Sequence, residues 1–111
     1  MSHLMHLNKD PFDRVKKGLK KIEGRLNDSK RQRINVGDEI IFVSREDNEE
    51  LKTVVTDLKK FENFEEMFDK TDITLWATKA VKKEEFVNSF PYYASEEIKE
   101  NGVLAIYFKL K

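Results

Sequence analysis

Gly18-Leu19-Lys20-Lys21-Ile22-Glu23-Gly24-Arg25 is the stretch that decides how this 111-residue chain is read. Gly18 follows two lysines, as at the end of a helix, where glycine takes up the left-handed turn. A strand begins at once and carries Lys20, Lys21, Glu23 and Arg25. Side chains alternate along a strand, so Ile22 and Leu26 share one side with Gly24 between them, and Lys21, Glu23 and Arg25 share the other. Lys20 has the opposite parity but sits where helix turns into strand, which leaves its direction open. Two readings follow. The strand is a solvated edge with a Glu23–Arg25 ion pair worth little, or its charges line a polar cleft. In a cleft, a guanidinium grips phosphate bidentately and a carboxylate accepts from an exocyclic amine.

Upstream, Asp10 as N-cap, Pro11 in the first turn and Asp13 near the positive end predict a helix over 11–17, with Phe12, Val15 and Leu19 as its apolar face. Residues 4–7 suit a first strand. Downstream, 27–33 is a polar loop whose Lys30, Arg31 and Arg33 make either a phosphate clamp or an ordinary basic surface. Gly37-Asp38 marks a turn before a buried strand at 39–44, and 45–50 reads as a hairpin loop. A long strand is expected at 51–61, bent near Asp57. Asn63 caps a short helix over 64–68. Trp76 anchors an irregular 71–78, and a helix over 82–90 presents Phe86, Val87 and Phe90 before Pro91 ends it. Tyr92 and Tyr93 either stack a base or pack at the core edge. A polar stretch at 95–101 leads to Gly102 and a final strand at 103–110. Five or six strands and about three short helices, without regular βαβ alternation, predict an α+β domain built on a small curved sheet or barrel.

Composition narrows the function classes. Without cysteine there is no disulfide, thiolate metal site or thiol nucleophile. His3 and His6 lack flanking ligands at metal spacing, and no Gly-rich phosphate loop or nucleophile elbow occurs. No metal or cofactor is therefore expected. No apolar run reaches signal-peptide or membrane-span length. The expectation is a single domain over 1–111, cytoplasmic, off the membrane and monomeric by default. The 21 basic and 21 acidic residues cancel, yet residues 1–45 hold 11 Lys/Arg against 6 Asp/Glu. A basic N-terminal half fits a polyanion partner, and an acidic C-terminal half fits a protein partner.

The ordered run Gly18-x-Lys20-Lys21-Ile22-Glu23-x-Arg25-Leu26, Asp28-x-Lys30-Arg31 and Ile34-x-Val36-Gly37-Asp38-x-Ile40-x-Phe42 resembles the ASCH domain family. So do Phe61-x-x-Phe64, Tyr92-Tyr93 and Gly102-Val103-Leu104-Ala105-Ile106-x-Phe108. The resemblance covers essentially the whole chain. It implies a PUA-like fold, a small β-barrel flanked by helices, with a cleft beside the helix-to-strand motif and a role in binding RNA. Lys20, Glu23 and Arg25 would face that cleft. One enzymatic branch of the family hydrolyses N4-acetylcytidine with the motif lysine, a threonine three residues on and a distant glutamate. Here the lysine matches Lys20, Glu23 stands in the threonine's place and supplies no hydroxyl, and Glu85 or Glu96 stands as the distant acid.

The expected function is binding of RNA or a nucleotide-like ligand. Arg25, Lys30, Arg31 and Arg33 would hold phosphate, Glu23 would read a donor, Lys20 would add charge at the rim, Lys21 would share the cleft-facing side of the strand, and Tyr93 would stack. The alternative is a small amidohydrolase in which Lys20 and Glu23 are catalytic. A third reading is a protein-interaction module.

Overall fold

A computed structural model describes residues 1–78 and 82–111. Five strands form one mixed sheet in the order β1-β3-β4-β5-β2, with β1 at Ser2–Leu7, β2 at Ile22–Leu26, β3 at Glu39–Ser44, β4 at Glu50–Phe61 and β5 at Val103–Leu110. β1 runs parallel to β3, and the other pairs are antiparallel. The sheet is a curled half-barrel. Its two outer strands, β1 and β2, are joined by a side chain: the Arg25 guanidinium donates from Nη2 to the His6 carbonyl at 3.0 Å.

Alternation along β5 divides the interior in two. Leu104, Ile106 and Phe108 point into a core inside the curl, where Phe12 and Val15 of α1 (Lys9–Lys16) meet Ile40, Phe42 and Val55. Val103 and Ala105 point the other way, into a second core with Ile22, Phe64, Met67, Trp76 and Phe86. That core is roofed by α2 (Phe64–Lys70), by the short 3-10 turn Ile73–Trp76 and by α3 (Lys83–Asn88). The bend expected in the long strand is present: the β4–β5 register shifts between Val55 and Asp57, leaving Thr56 as the extra residue of a bulge.

Three local expectations are corrected. The first helix starts at Lys9 with Asn8, not Asp10, at the N-cap. The Phe12 amide bonds to the Asn8 carbonyl at 3.0 Å, which brings Lys9 and Asp10 inside the first turn. Leu19 lies beyond the helix and is exposed, so the apolar face is Phe12 and Val15 alone. The polar stretch after Tyr93 is a fourth helix, α4 (Ser95–Asn101). Its single half-buried apolar residue, Ile98, gives no periodic signal over two turns, and its start is fixed by the Glu97 side chain accepting from the Ala94 amide at 3.1 Å. Gly102 then turns the chain into β5 at φ +71, where a Cβ would lie 2.8 Å from the Phe61 carbonyl oxygen. No helix among the described residues is long and apolar enough to cross a membrane.

Candidate functional site: a charged cleft between the sheet edges

A cleft of about 480 Å³ opens beside the join between β1 and β2. Lys20, Glu23 and Arg25 line it, together with Arg14 of α1, Arg45 after β3, and an aromatic wall that includes Trp76, Phe90 and the tyrosines Tyr92 and Tyr93. β2 is thus both an edge strand and a cleft wall. The charges here are not solvated: Lys20, just before the strand, is 6% exposed and Glu23 9%.

The strand's alternation positions these groups. Ile22 and Gly24 turn toward the helical core. A Cβ on Gly24 would come within 3.0 Å of the Trp76 ring and 3.1 Å of Phe90, so only glycine lets those rings lie against the strand. Glu23 and Arg25 share the opposite face. Arg25 donates to the Glu23 carboxylate from Nε at 3.1 Å and approaches it through Nη2 at 2.9 Å. Lys20 is set by the turn after α1, where its amide bonds to the Arg14 carbonyl at 3.1 Å. Its ammonium donates to the Ile22 carbonyl at 2.6 Å, lies 3.4 Å from Glu23 and sits 4.9 Å from the Trp76 ring centre. The lysine expected at the rim is therefore buried within the site.

One carboxylate serves two cations, and the electrostatics follow. Burial pushes the Lys20 ammonium below its ordinary range, and the pull of Glu23 only partly offsets this. For Glu23, burial is the largest single influence and raises the carboxyl. Lys20 and Arg25 together outweigh it and hold the group below the ordinary carboxylate range. Glu23 is thus ionised at neutral pH, and burial makes the Lys20 proton easier to remove than that of an exposed lysine. With Lys20 charged, the trio carries one surplus positive charge, an arrangement suited to an anion beside a hydrogen-bond acceptor.

The other expected residues divide. Tyr93 is half-buried on the cleft wall, its ring nearly parallel to Phe64 at 6.0 Å, while Tyr92 stands exposed at the mouth. Lys30 and Arg31 line a smaller adjoining cavity of about 220 Å³, which shares His6, Arg25 and Arg45 with the cleft. Arg33 and Lys21 are exposed and line neither cavity. Glu85 and Glu96 are also exposed and do not line the cleft, so neither is placed as a distant acid beside Lys20. His3 bonds through Nε2 to Asp38 at 2.8 Å. Among the described residues, no three His, Cys, Asp or Glu side chains cluster to hold a metal.

Two arginines escaped the sequence reading. Arg14 is one of several basic residues on a short helix, and Arg45 stands in sequence at the start of a charged loop. The parallel pairing of β1 with β3 carries Arg45 to the cleft: its amide bonds to the Leu7 carbonyl at 2.9 Å, and its guanidinium donates to Asn8 at 3.0 Å. A parallel pair of strands distant in sequence leaves no local signal.

The family model for the ASCH domain matches residues 5–111. A hypothetical protein solved by crystallography is 36% identical over 100% of both chains, with a TM-score of 0.89. A Pyrococcus furiosus protein solved by NMR in solution is 32% identical over 99% of this chain and 97% of its own, with a TM-score of 0.79. An ASCH protein from Zymomonas mobilis shares the fold at 8% identity, covering 97% of this chain and 68% of its own with a TM-score of 0.60. No match to a curated protein was found. With the family pattern running from the first strand through the last and the PUA-like half-barrel beneath it, the chain belongs to the ASCH domain family.

Proposed function

We propose that this protein binds RNA, or a nucleotide-like ligand cut from the same chemistry, in the cleft between β1 and β2. The observation that carries the reading is the buried Lys20–Glu23–Arg25 trio, with its one carboxylate between two cations, set against an aromatic wall. Ligand sites combine apolar walls with a few convergent polar groups, in volumes of roughly 300–1,000 Å³. Arg25 and the surplus positive charge suit phosphate, Glu23 suits an exocyclic amine, and the Tyr92–Tyr93 corner suits a base face. Family membership supports the same reading, since ASCH domains are generally thought to bind RNA.

A residue-resolved NMR titration with a short structured RNA tests it. Shifts are expected at Lys20–Arg25, Arg45 and Tyr92–Tyr93, with affinity falling steeply as salt rises. An unshifted cleft at low salt would refute it. Arg25 is a poor choice for the first substitution. Its guanidinium also ties β2 to β1, so Arg25→Ala would mix lost binding with lost stability.

One observation favours a second reading, hydrolysis of a modified nucleoside. A buried lysine whose proton is loosened by desolvation lies 3.4 Å from a carboxylate, an arrangement that can relay a proton. On this reading Glu23 activates water and Lys20 steadies the developing oxyanion or moves the proton. Incubation with N4-acetylcytidine decides it. Loss of acetyl that disappears in both Lys20→Ala and Glu23→Ala supports an enzyme, and no turnover at any pH from 6 to 10 removes that substrate.

A further inference from the structure

We propose that the smaller cavity beside the cleft is a phosphate subsite, so that the ligand is a phosphorylated nucleotide unit rather than a free nucleoside. This rests on the reading of the cleft as a nucleotide site. The cavity measures about 220 Å³ and is lined by Arg25, Lys30, Arg31 and Arg45 with His3 and His6, and by no carboxylate. The nearby acids each pair with a lining residue and leave Lys30 and Arg45 without a carboxylate partner among the described residues. Glu23 faces Lys20 and Arg25, Asp38 takes His3 at 2.8 Å, and Asp28 takes Arg31 Nη1 at 2.9 Å.

Arg31 supplies the second observation. Its guanidinium is held against Asp28 on one side, while its Nε–H is buried without an acceptor among the described residues. Buried donors of this kind are rare, because an unmade hydrogen bond in a low-dielectric setting is expensive. Arg31 thus lines the cavity with a guanidinium whose donors Asp28 does not exhaust, which suits an anion's oxygen.

Geometry assigns the anion to this cavity rather than to the main cleft. The cleft sets the Glu23 carboxylate among its cations, whereas the adjoining cavity is lined by four cationic side chains and no carboxylate. The two spaces meet at His6, Arg25 and Arg45, so one ligand can span them. A base then lies against the aromatic wall with its amine toward Glu23, and its phosphate lies among Arg25, Lys30, Arg31 and Arg45. The phosphate is either the terminal monoester of a mononucleotide or an internal phosphodiester of RNA.

The test is calorimetric titration of the whole chain with cytidine and adenosine, with their 5′- and 3′-monophosphates, with inorganic phosphate, and with a tetranucleotide lacking terminal phosphates. At least one monophosphate is expected to bind about tenfold tighter than its nucleoside at low salt, the gain of one added charge-assisted contact. That ratio should fall toward one in both Lys30→Gln and Arg31→Gln, whose folding is checked by their amide spectra. Lys30 is exposed, so its variant guards against a folding defect in Arg31→Gln. An Arg31-dependent gain in the tetranucleotide assigns an internal phosphodiester, and a gain confined to the monophosphates assigns a terminal one. Nucleosides binding as well as their monophosphates would overturn the subsite while leaving the cleft's reading intact. Phosphate binding with no nucleoside or nucleotide binding would overturn the cleft's reading, and this inference with it, as would no binding by any probe.

Discussion

Replacing Glu23 by glutamine isolates what one buried carboxylate does for the fold. The side chains of Lys20, Glu23 and Arg25 are 7%, 12% and 13% exposed, so Glu23→Gln leaves two desolvated cations facing a neutral amide. Removing one partner of a buried pair destabilises by about 3–5 kcal/mol, because the remaining charge keeps its desolvation penalty. A domain of this size has a total stability of roughly 5–15 kcal/mol, so the loss is a large share. In urea, with a slope of about 1–3 kcal/mol/M, the midpoint should fall by about 1 M or more. The pH dependence adds a signature. The lysine's folded-state pKa lies below its unfolded value, so between the two the unfolded chain binds more protons and stability rises with pH. Without Glu23 that folded value drops further, and the deficit of Glu23→Gln should shrink as pH rises from 7 toward 10. The double variant Glu23→Gln/Lys20→Met removes one of the two cations and should recover a substantial part of the loss. Urea midpoints at several pH values for the three proteins make the measurement. A single variant within 0.5 kcal/mol of wild type, or a double variant no more stable than the single, would refute the reasoning.

Gly24→Ala places a methyl 3.0 Å from Trp76 and 3.1 Å from Phe90, so the rings must move. A loss of about 1–3 kcal/mol is expected, with altered tryptophan fluorescence as the sign that Trp76 has shifted; unchanged emission and midpoint would mean the rings have room to spare. At the far end of α1, a 2.9 Å bond from Lys9 helps hold the Asp47 carboxyl down at about 2. Its folded value lies below the unfolded one, so its contribution is present above pH 3.8 and lost as pH falls through about 2. Lys9→Met should return the Asp47 carboxyl toward its ordinary value in a carbon-detected NMR titration.

How much of this was legible beforehand depends on whether the signal was local. The strand alternation around Ile22, the Asn63 cap, the bend near Asp57 and the turn at Gly102 are written in neighbouring residues, and each has its counterpart in the structure. The placement of Glu23 and Arg25 on one face follows from the same alternation. Burial of Lys20 was not legible, because it depends on Trp76 arriving from 56 residues downstream to lie against the ammonium. Nor was the division of the basic loop. Arg31 turns inward because Asp28 accepts both its amide and its guanidinium, while Arg33, two residues on in the same 3-10 turn, faces solvent. Charge patterning gives the number of cations in a segment but not which of them a carboxylate three residues away will pin.

The trio also poses a question that stability alone can answer. Buried ion clusters are often no better for stability than apolar residues of similar volume, and replacing one outright is neutral or favourable by about 1–4 kcal/mol in some proteins. By that measure, Lys20→Met/Glu23→Leu/Arg25→Met should be at least as stable as wild type and should no longer bind. Two hydrogen bonds argue the other way. Lys20 satisfies the Ile22 carbonyl, and Arg25 satisfies the His6 carbonyl on the opposite edge, where the curled sheet does not close by backbone pairing. Each carbonyl left without a donor and away from water costs about 1–3 kcal/mol, enough together to cancel the gain. Comparing the triple variant with Glu23→Gln/Lys20→Met, which keeps Arg25 on His6, separates the two effects. If the triple variant is the more stable, the charges are held in the gap for a ligand. If it is less stable while the double variant is largely restored, the Arg25 bridge holds the half-barrel's edges together, and the cleft's chemistry has been built from a part the fold already required.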